Sequence, residues 1–280
     1  MSRNGKHYAV KTARGADYDC KRYSNDALER EMKLYKKIGR HAGIIDMLAC
    51  KRCFHDPYIV MPLAAHGTLF DYVGTAKIAG QWTKVTKVKT SVIVLDQLLP
   101  MLARLEAVNI AHLDIKVENI LVLSKDPLRV CLADLGLAKD FDEADEKDFG
   151  GWNPTRIIAP EAARMDGRSK NRYDTRADVW MLGCLILELL GVVPRIGYDM
   201  SNMTHAAPLD ALKQTQRDGM ARAYWGTLSA AAYHETWVPF QMRHILEEMM
   251  VVDYEQRKRA SVLAKQWAAI SPSVTMPWEF

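Results

Sequence analysis

The densest chemistry in the chain lies in His112-Leu113-Asp114-Ile115-Lys116-Val117-Glu118-Asn119, followed fifteen residues later by Asp134-Leu135-Gly136. These residues offer a carboxylate able to accept a proton, an amine able to neutralise an anion, and hard carboxylate and amide oxygens. Taken singly, an Asp, a Lys or an Asn is far more often a surface residue or a cap than a reacting group. Order and spacing are what raise the chemical reading here. Other constellations are weaker. Cys50-Lys51-Arg52-Cys53 has the spacing of half a zinc site but no second CxxC and no CxxH nearby, and reads as a pair of strand or loop cysteines. Lys84, Lys87 and Lys89 read as a solvated loop ahead of a helix.

The chain has 280 residues, 38 Lys+Arg against 34 Asp+Glu, and 49% apolar content. That is a globular composition, neither disordered nor fibrous. The charges are mixed, no basic tract suggests nucleic acid, and Val179 to Val193 contains Glu188 and is too short to span a membrane. The N-terminus lacks the apolar core of a secretory signal, and five cysteines suit a reducing, intracellular compartment. His7 to Val10 and Tyr58 to Met61 read as strands. Asn25 to Ile38 reads as a helix with Leu28, Met32, Tyr35 and Ile38 on one face and Ser24, Asn25 or Asp26 as its cap. Pro62 and the Ala64-Ala65-His66-Gly67 connector mark a boundary between residues 1–63 and 64–280. Beyond it, Val92 to Val108, Asp174 to Leu190, Met242 to Met250 and Ala260 to Ala269 read as helices, with Trp180, Leu182, Leu185, Leu187 and Leu189 as core. Asn119 to Val122 and Arg129 to Leu132 read as a hairpin around Asp126-Pro127.

The two chemical segments, followed by Ala159-Pro160-Glu161, resemble the signature set of eukaryotic-type protein kinases of the Ser/Thr-like kind. Tyr8-Ala9-Val10-Lys11 resembles the strand bearing that family's nucleotide-binding Lys, and Asp178-Val179-Trp180-Met181-Leu182-Gly183 its buried central helix. Five motifs in one order cover nearly the whole chain. The resemblance implies a two-lobed α+β protein-kinase-like fold, with a truncated N-lobe sheet and a mainly helical C-lobe, that transfers the γ-phosphate of ATP with Mg²⁺ to Ser/Thr hydroxyls of proteins. On that resemblance Asp114 would orient the substrate hydroxyl, Lys116 would face the transferring phosphate, and Asn119 and Asp134 would ligate Mg²⁺. Lys11 would bridge the α and β phosphates, held by Glu31 in preference to Glu29 because Met32, Tyr35 and Ile38 after it match the family's apolar spacing. Met61 would be the gatekeeper, the Pro62 carbonyl and the Leu63 backbone would face adenine, and Ala9 and Leu121 would close on the ring. Glu161 would pair with Arg257, with Arg259 as the alternative, and His112 and Asp178 would support the loop structurally.

Three departures accompany the resemblance. Lys11 stands so early that no residues remain for the Gly-rich loop and its flanking strands. Either nucleotide binds weakly, a partner chain or an upstream segment covers it, or the start is truncated. Leu113 replaces the Arg that would meet a loop phosphate, and no Ser, Thr or Tyr lies between Gly136 and Pro154. Both facts suggest a loop that its own phosphorylation does not switch, with Asp140, Asp142, Glu143, Asp145, Glu146 and Asp148 favouring basic residues around the target. Pro154 to Ala159 is spaced as in tyrosine-specific members, against Lys116. The compact length and the motif-free stretch from Gly191 to Phe240 would suit a viral kinase. The alternative reading is a pseudokinase acting as scaffold or allosteric partner.

Overall fold

The structure, a computed structural model, describes residues 2–3, 6–12, 18–51, 57–143, 159, 161, 174–192 and 237–274. Cys53, Asp145, Glu146, Asp148, the Pro154-to-Ile158 segment, Pro160 and most of the stretch from Gly191 to Phe240 lie outside the described residues.

The N-terminal strands run antiparallel: β2 (Lys6–Thr12) pairs with β4 (Tyr58–Pro62), placing Ala9 opposite Met61 and Lys11 opposite Ile59. β3 (Ala49–Lys51) flanks β4, and β1 (Ser2–Arg3) pairs with Lys6 and His7 of β2. Ser2 and Arg3 therefore form a short strand where the sequence reading leaves none, so the β2 edge is partly covered.

Helix α1 (Tyr18–Ile38) begins seven residues before the expected Asn25. Ser24, Asn25 and Asp26, expected as caps, lie inside it. Helix propensity is a weak prior that packing overrides, and Leu28, Met32, Tyr35 and Ile38 are all buried as the periodicity requires.

After β4 the chain is mainly helical among the described residues. Helix α2 (Leu69–Ile78) was not anticipated, although Thr68-x-x-Asp71 is its signal: Asp71 N–H donates to Thr68 Oγ1 at 3.2 Å, and Thr68 N–H returns the bond to Asp71 Oδ2 at 2.9 Å. Helix α3 (Lys84–Ala107) starts eight residues before the expected Val92, capped by Thr83. Lys84, Lys87 and Lys89 thus belong to its opening turns and not to a loop, and the Lys84 and Lys87 ammonium groups lie 5.5 and 5.9 Å from the Trp237 ring centroid. Short β5 (Ile110–Ala111) precedes the hairpin of β6 (Ile120–Lys125) and β7 (Leu128–Leu132), and β8 (Lys139–Asp140) pairs back onto β5. Helix α4 (Arg176–Leu190) is almost wholly buried and stops at Gly191, whose φ of +71° suits a residue without Cβ. Helices α5 (Phe240–Met249) and α6 (Ala260–Ile270) complete the packing around α3 and α4, and Trp267 donates to Asp96 at 2.6 Å.

A buried ion pair ties this end together. Arg257, whose side chain is 0% exposed, donates to both Glu161 oxygens at 2.6 and 3.0 Å. It also donates to the carbonyls of Val251 and Arg176 and lies over the Trp180 ring at 5.1 Å. Arg259 is 51% exposed and approaches Glu106 and Asp174 only at 3.8 and 3.9 Å, so Arg257 is the partner of Glu161. Arg257→Met strands a buried carboxylate and should lower unfolding stability by about 3–5 kcal/mol. Arg259→Met should cost less than about 1 kcal/mol. Urea titrations of both variants check this, and equal losses would contradict it.

Candidate active site

The segment from His112 to Asn119 connects β5 to β6, and its shape is set from below by α4. Asp178, 2% exposed in the first turn of α4, accepts hydrogen bonds from His112 N–H at 2.6 Å and Leu113 N–H at 2.8 Å. Burial nonetheless pushes its pKa up to about 7, against the pull of those two N–H groups. The clamp matters because Leu113 sits at φ +61°, a left-handed conformation that side chains resist. His112 is fully buried. Its Nδ1 accepts from Asp114 N–H at 3.2 Å and its Nε2 donates to the Ala133 carbonyl at 3.1 Å, which fixes a neutral tautomer. Burial lowers its pKa despite the nearby Asp114 and Asp134.

The imidazole therefore stitches the loop to the residue preceding Asp134, and Ala133 N–H donates to the Asn119 carbonyl at 2.8 Å. Asn119 Nδ2 donates to the Asp114 carbonyl at 2.8 Å and to Asp114 Oδ2 at 2.7 Å. Lys116 Nζ reaches both Asp114 oxygens at 3.0 Å. Across the cleft, Lys11 Nζ lies 2.6 Å from Glu31 Oε2 and 2.7 Å from Asp134 Oδ1. Burial disfavours its charge, but the two carboxylates outweigh burial and its pKa is raised. Burial pushes the Glu31 carboxyl up; for Asp134 the Lys11 ammonium outweighs burial and its pKa is lowered. Gly136 N–H donates to Asp134 Oδ1 at 3.0 Å, and a Cβ there would lie 2.9 Å from that same oxygen. Glycine is thus the residue that lets the backbone close on Asp134.

A cavity of about 760 Å³ lies between these groups, walled by Ala9, Lys11, Glu31, Met61, Pro62, Leu63, Asn119, Leu121 and Asp134. The expected residues are thereby brought together, except that Asp114 and Lys116 do not line the cavity and join it through Asn119. Glu31, rather than Glu29, meets Lys11. Three features escaped the sequence reading. Tyr35 hydroxyl lies 3.9 Å from Met61 Sδ, behind the cavity wall. Gly43 to Ile45 is stitched to β7, with Leu132 N–H to the Gly43 carbonyl at 2.8 Å and Ile45 N–H to the Leu132 carbonyl at 2.9 Å. The only sequence signal was the short apolar pair Ile44-Ile45. Finally, Asp140 and Asp142, expected as part of an acidic substrate-facing surface, are taken up by Lys37, and Asp142 also by Asn109.

The donor set fits Mg²⁺. Both described side-chain bonds of Asn119 use its nitrogen, leaving the amide oxygen for a cation, and the Asp134 side chain is 48% exposed. Among the described residues no three His, Cys, Asp or Glu side chains gather as a metal cage. Two hard oxygens completed by phosphate and water are what Mg²⁺ prefers.

A family model of the protein kinase domain matches residues 1–268. The chain belongs to the protein kinase family. It is 31% identical to a probable myosin light chain kinase of Dictyostelium discoideum over 77% of this chain and 64% of that protein. It is 30% identical to human serine/threonine-protein kinase ULK3 over 60% of this chain and 32% of that protein. It is 28% identical to a fibroblast growth factor receptor of Strongylocentrotus purpuratus over 57% of this chain and 17% of that protein. The matches thus span less than two thirds of each relative's length. No described helix is long and apolar enough to cross a membrane.

Because His112 is held neutral, its folded pKa lies below the unfolded value near 6.5. The stability it contributes is present above that value and is lost as pH falls through it. Asp178 has the opposite sign, its raised pKa costing stability as pH rises from about 4 to about 7. The stability advantage of wild type over His112→Phe, which shares Asp178, should shrink below pH 6.5 by up to about 1.4 kcal/mol per pH unit. Urea titrations across pH 5 to 8 test this; a constant difference would refute it.

Proposed function

We propose that this chain is an ATP- and Mg²⁺-dependent protein kinase acting on Ser/Thr hydroxyls, with a lobe boundary near residues 63 and 64 and the cavity between Ala9 and Leu121 as the adenine site. The observation that carries the reading is the Lys11 ammonium between Glu31 and Asp134, at 2.6 and 2.7 Å, across the cleft from the Asp114–Asn119 pair. Phosphoryl transfer needs positioned charge and one proton acceptor more than covalent help, and these groups are of that kind.

In this reading Lys11 holds the α and β phosphates, with Glu31 fixing its flexible side chain. The Pro62 carbonyl and the Leu63 backbone meet the adenine edge, with Met61 as gatekeeper. Asp134 and Asn119 would hold Mg²⁺, whose charge would offset that developing on the transferred group. Asp114 accepts the hydrogen bond of the attacking hydroxyl and orients its lone pair toward phosphorus. Lys116, already 3.0 Å from both Asp114 oxygens, neutralises the γ-phosphoryl oxygens as they pass. The Ser/Thr preference rests on Lys116 and on the similarity to the serine/threonine-protein kinase ULK3.

Leu113 leaves no Arg at the position that would receive a loop phosphate, so the loop operates without its own phosphorylation. Preference for basic residues around the target then falls to Glu143 and the acidic residues after it, since Asp140 and Asp142 are engaged internally. The free thiols Cys50, Cys131 and Cys184 suit an intracellular setting.

The test is transfer of radiolabelled γ-phosphate from Mg-ATP to histone, with phosphoamino acid analysis of the product. Asp114→Asn and Lys11→Met should each lower kcat/KM by about 10²–10⁴-fold. Label on Ser or Thr is expected; label on Tyr would reverse the specificity. Folded wild type that binds nucleotide yet transfers nothing would favour the scaffold reading.

A further inference from the structure

Glu31 and Lys37 share helix α1, and the end of that helix is held from two sides. Its terminal carbonyl, on Ile38, accepts from Arg104 Nε at 3.1 Å and Arg104 Nη2 at 2.7 Å, both from α3. Lys37 Nζ lies 2.5 and 2.6 Å from the two Asp140 oxygens and 2.9 Å from Asp142 Oδ2. Asp142 is fixed in turn, its Oδ1 accepting from Asn109 Nδ2 at 2.6 Å, while Phe141 N–H donates to the Asn109 carbonyl at 3.0 Å. The Asp140 side chain is only 5% exposed, and Lys37 is the cation that offsets its charge while Asp142 N–H donates to its Oδ1 at 3.0 Å; the Asp142 side chain is 59% exposed.

We propose that Lys37 is a positioning residue: by bridging Asp140 and Asp142 it locks the end of α1 to the start of the loop after Asp134, and so keeps Glu31 on Lys11 without any phosphate on that loop. The inference rests on the proposed function for its catalytic consequence, and on geometry alone for the lock. Two carboxylates built into the chain supply the anion that α1 must be tied to. Leu113 shows the complementary loss, because a phosphate on this loop would find no Arg beside Asp114. Position along the helix makes the lock effective. The Lys11–Glu31 contact at 2.6 Å lies under two turns from Lys37, so a swing of the helix end moves Glu31 with it. Asp140 stands on the same segment as Asp134, so one side chain registers helix and loop together.

The experiment compares wild type with Lys37→Met, Lys37→Arg, Asp142→Asn and Lys36→Met, measuring hydrogen exchange of amides 32–38 and steady-state phosphoryl transfer. Lys36 is exposed in the same last turn and shares the favourable position of a cation at a helix C-terminus. Lys37→Met should speed exchange in these amides and lower kcat on the order of tenfold. Lys37→Arg should stay near wild type, Asp142→Asn should fall between, and Lys36→Met should change neither readout. Should Lys37→Met fail to fold, Asp142→Asn carries the same two readouts. Unchanged exchange in Lys37→Met, or an equal effect from Lys36→Met, would overturn the proposal. If wild type transfers no phosphate, the proposed function fails on its own, while the exchange measurement still decides the lock.

Discussion

The site depends on a single ammonium group. Lys11 Nζ is the contact between three elements that the chain supplies separately: strand β2, helix α1 through Glu31 and the segment after β7 through Asp134. At 2.6 and 2.7 Å both contacts are charge-assisted, and the one to Glu31, whose side chain is buried, is shielded from water. Few other arrangements of these elements would satisfy both carboxylates at once. The β2–β4 register, with Lys11 opposite Ile59 and Ala9 opposite Met61, aims the amine into the cleft, since a one-residue slip would turn it to the other face.

Opposite Lys11 the chain holds two residues in left-handed conformations, Leu113 at φ +61° and Asp134 at φ +69°. Neither is glycine, and each costs on the order of 1–3 kcal/mol. They persist because their surroundings overdetermine them. Asp178 takes the N–H groups of His112 and Leu113, His112 spans from Asp114 N–H to the Ala133 carbonyl, and Lys11 with Gly136 N–H fixes the Asp134 carboxylate. The buried helix α4 thus acts as a template for the segment that carries Asp114 and Asn119.

The site was more legible in the sequence than the elements that carry it. His112 to Asn119 and Asp134 to Gly136 are close in sequence, and their chemistry survives uncertainty in helix ends. Glu31 was separable from Glu29 because Met32, Tyr35 and Ile38 fix the face of α1, a periodicity that burial then obeys. The helix starts were misjudged where cap-type residues lie inside helices, as with Ser24 to Asp26, or where lysines open a helix, as with Lys84 to Lys89. Local propensity there loses to tertiary packing. What no pattern could supply was pairing across long separations: Lys37 with Asp140, Arg104 with the Ile38 carbonyl, Gly43 to Ile45 with Leu132. Such partners are chosen by the folded geometry, and no periodicity links them.

Charge balance explains why the acidic groups around the cleft do not defeat the proposed use of it. Lys11 and Lys116 bring two formal positive charges, and Glu31, Asp114, Glu118 and Asp134 bring four negative ones, so the bare site is net negative. A triphosphate entering it alone would be repelled by these carboxylates. Lys11 is already engaged by Glu31 at 2.6 Å and Asp134 at 2.7 Å, and the two carboxylates offset its charge. In the proposed reading a divalent cation held by Asp134 and Asn119 would offset that charge and compete with Lys11 for the Asp134 carboxylate. In that reading metal and nucleotide would be coupled ligands, each weakening the repulsion that opposes the other, and Asp134, which already meets Lys11, would carry the coupling.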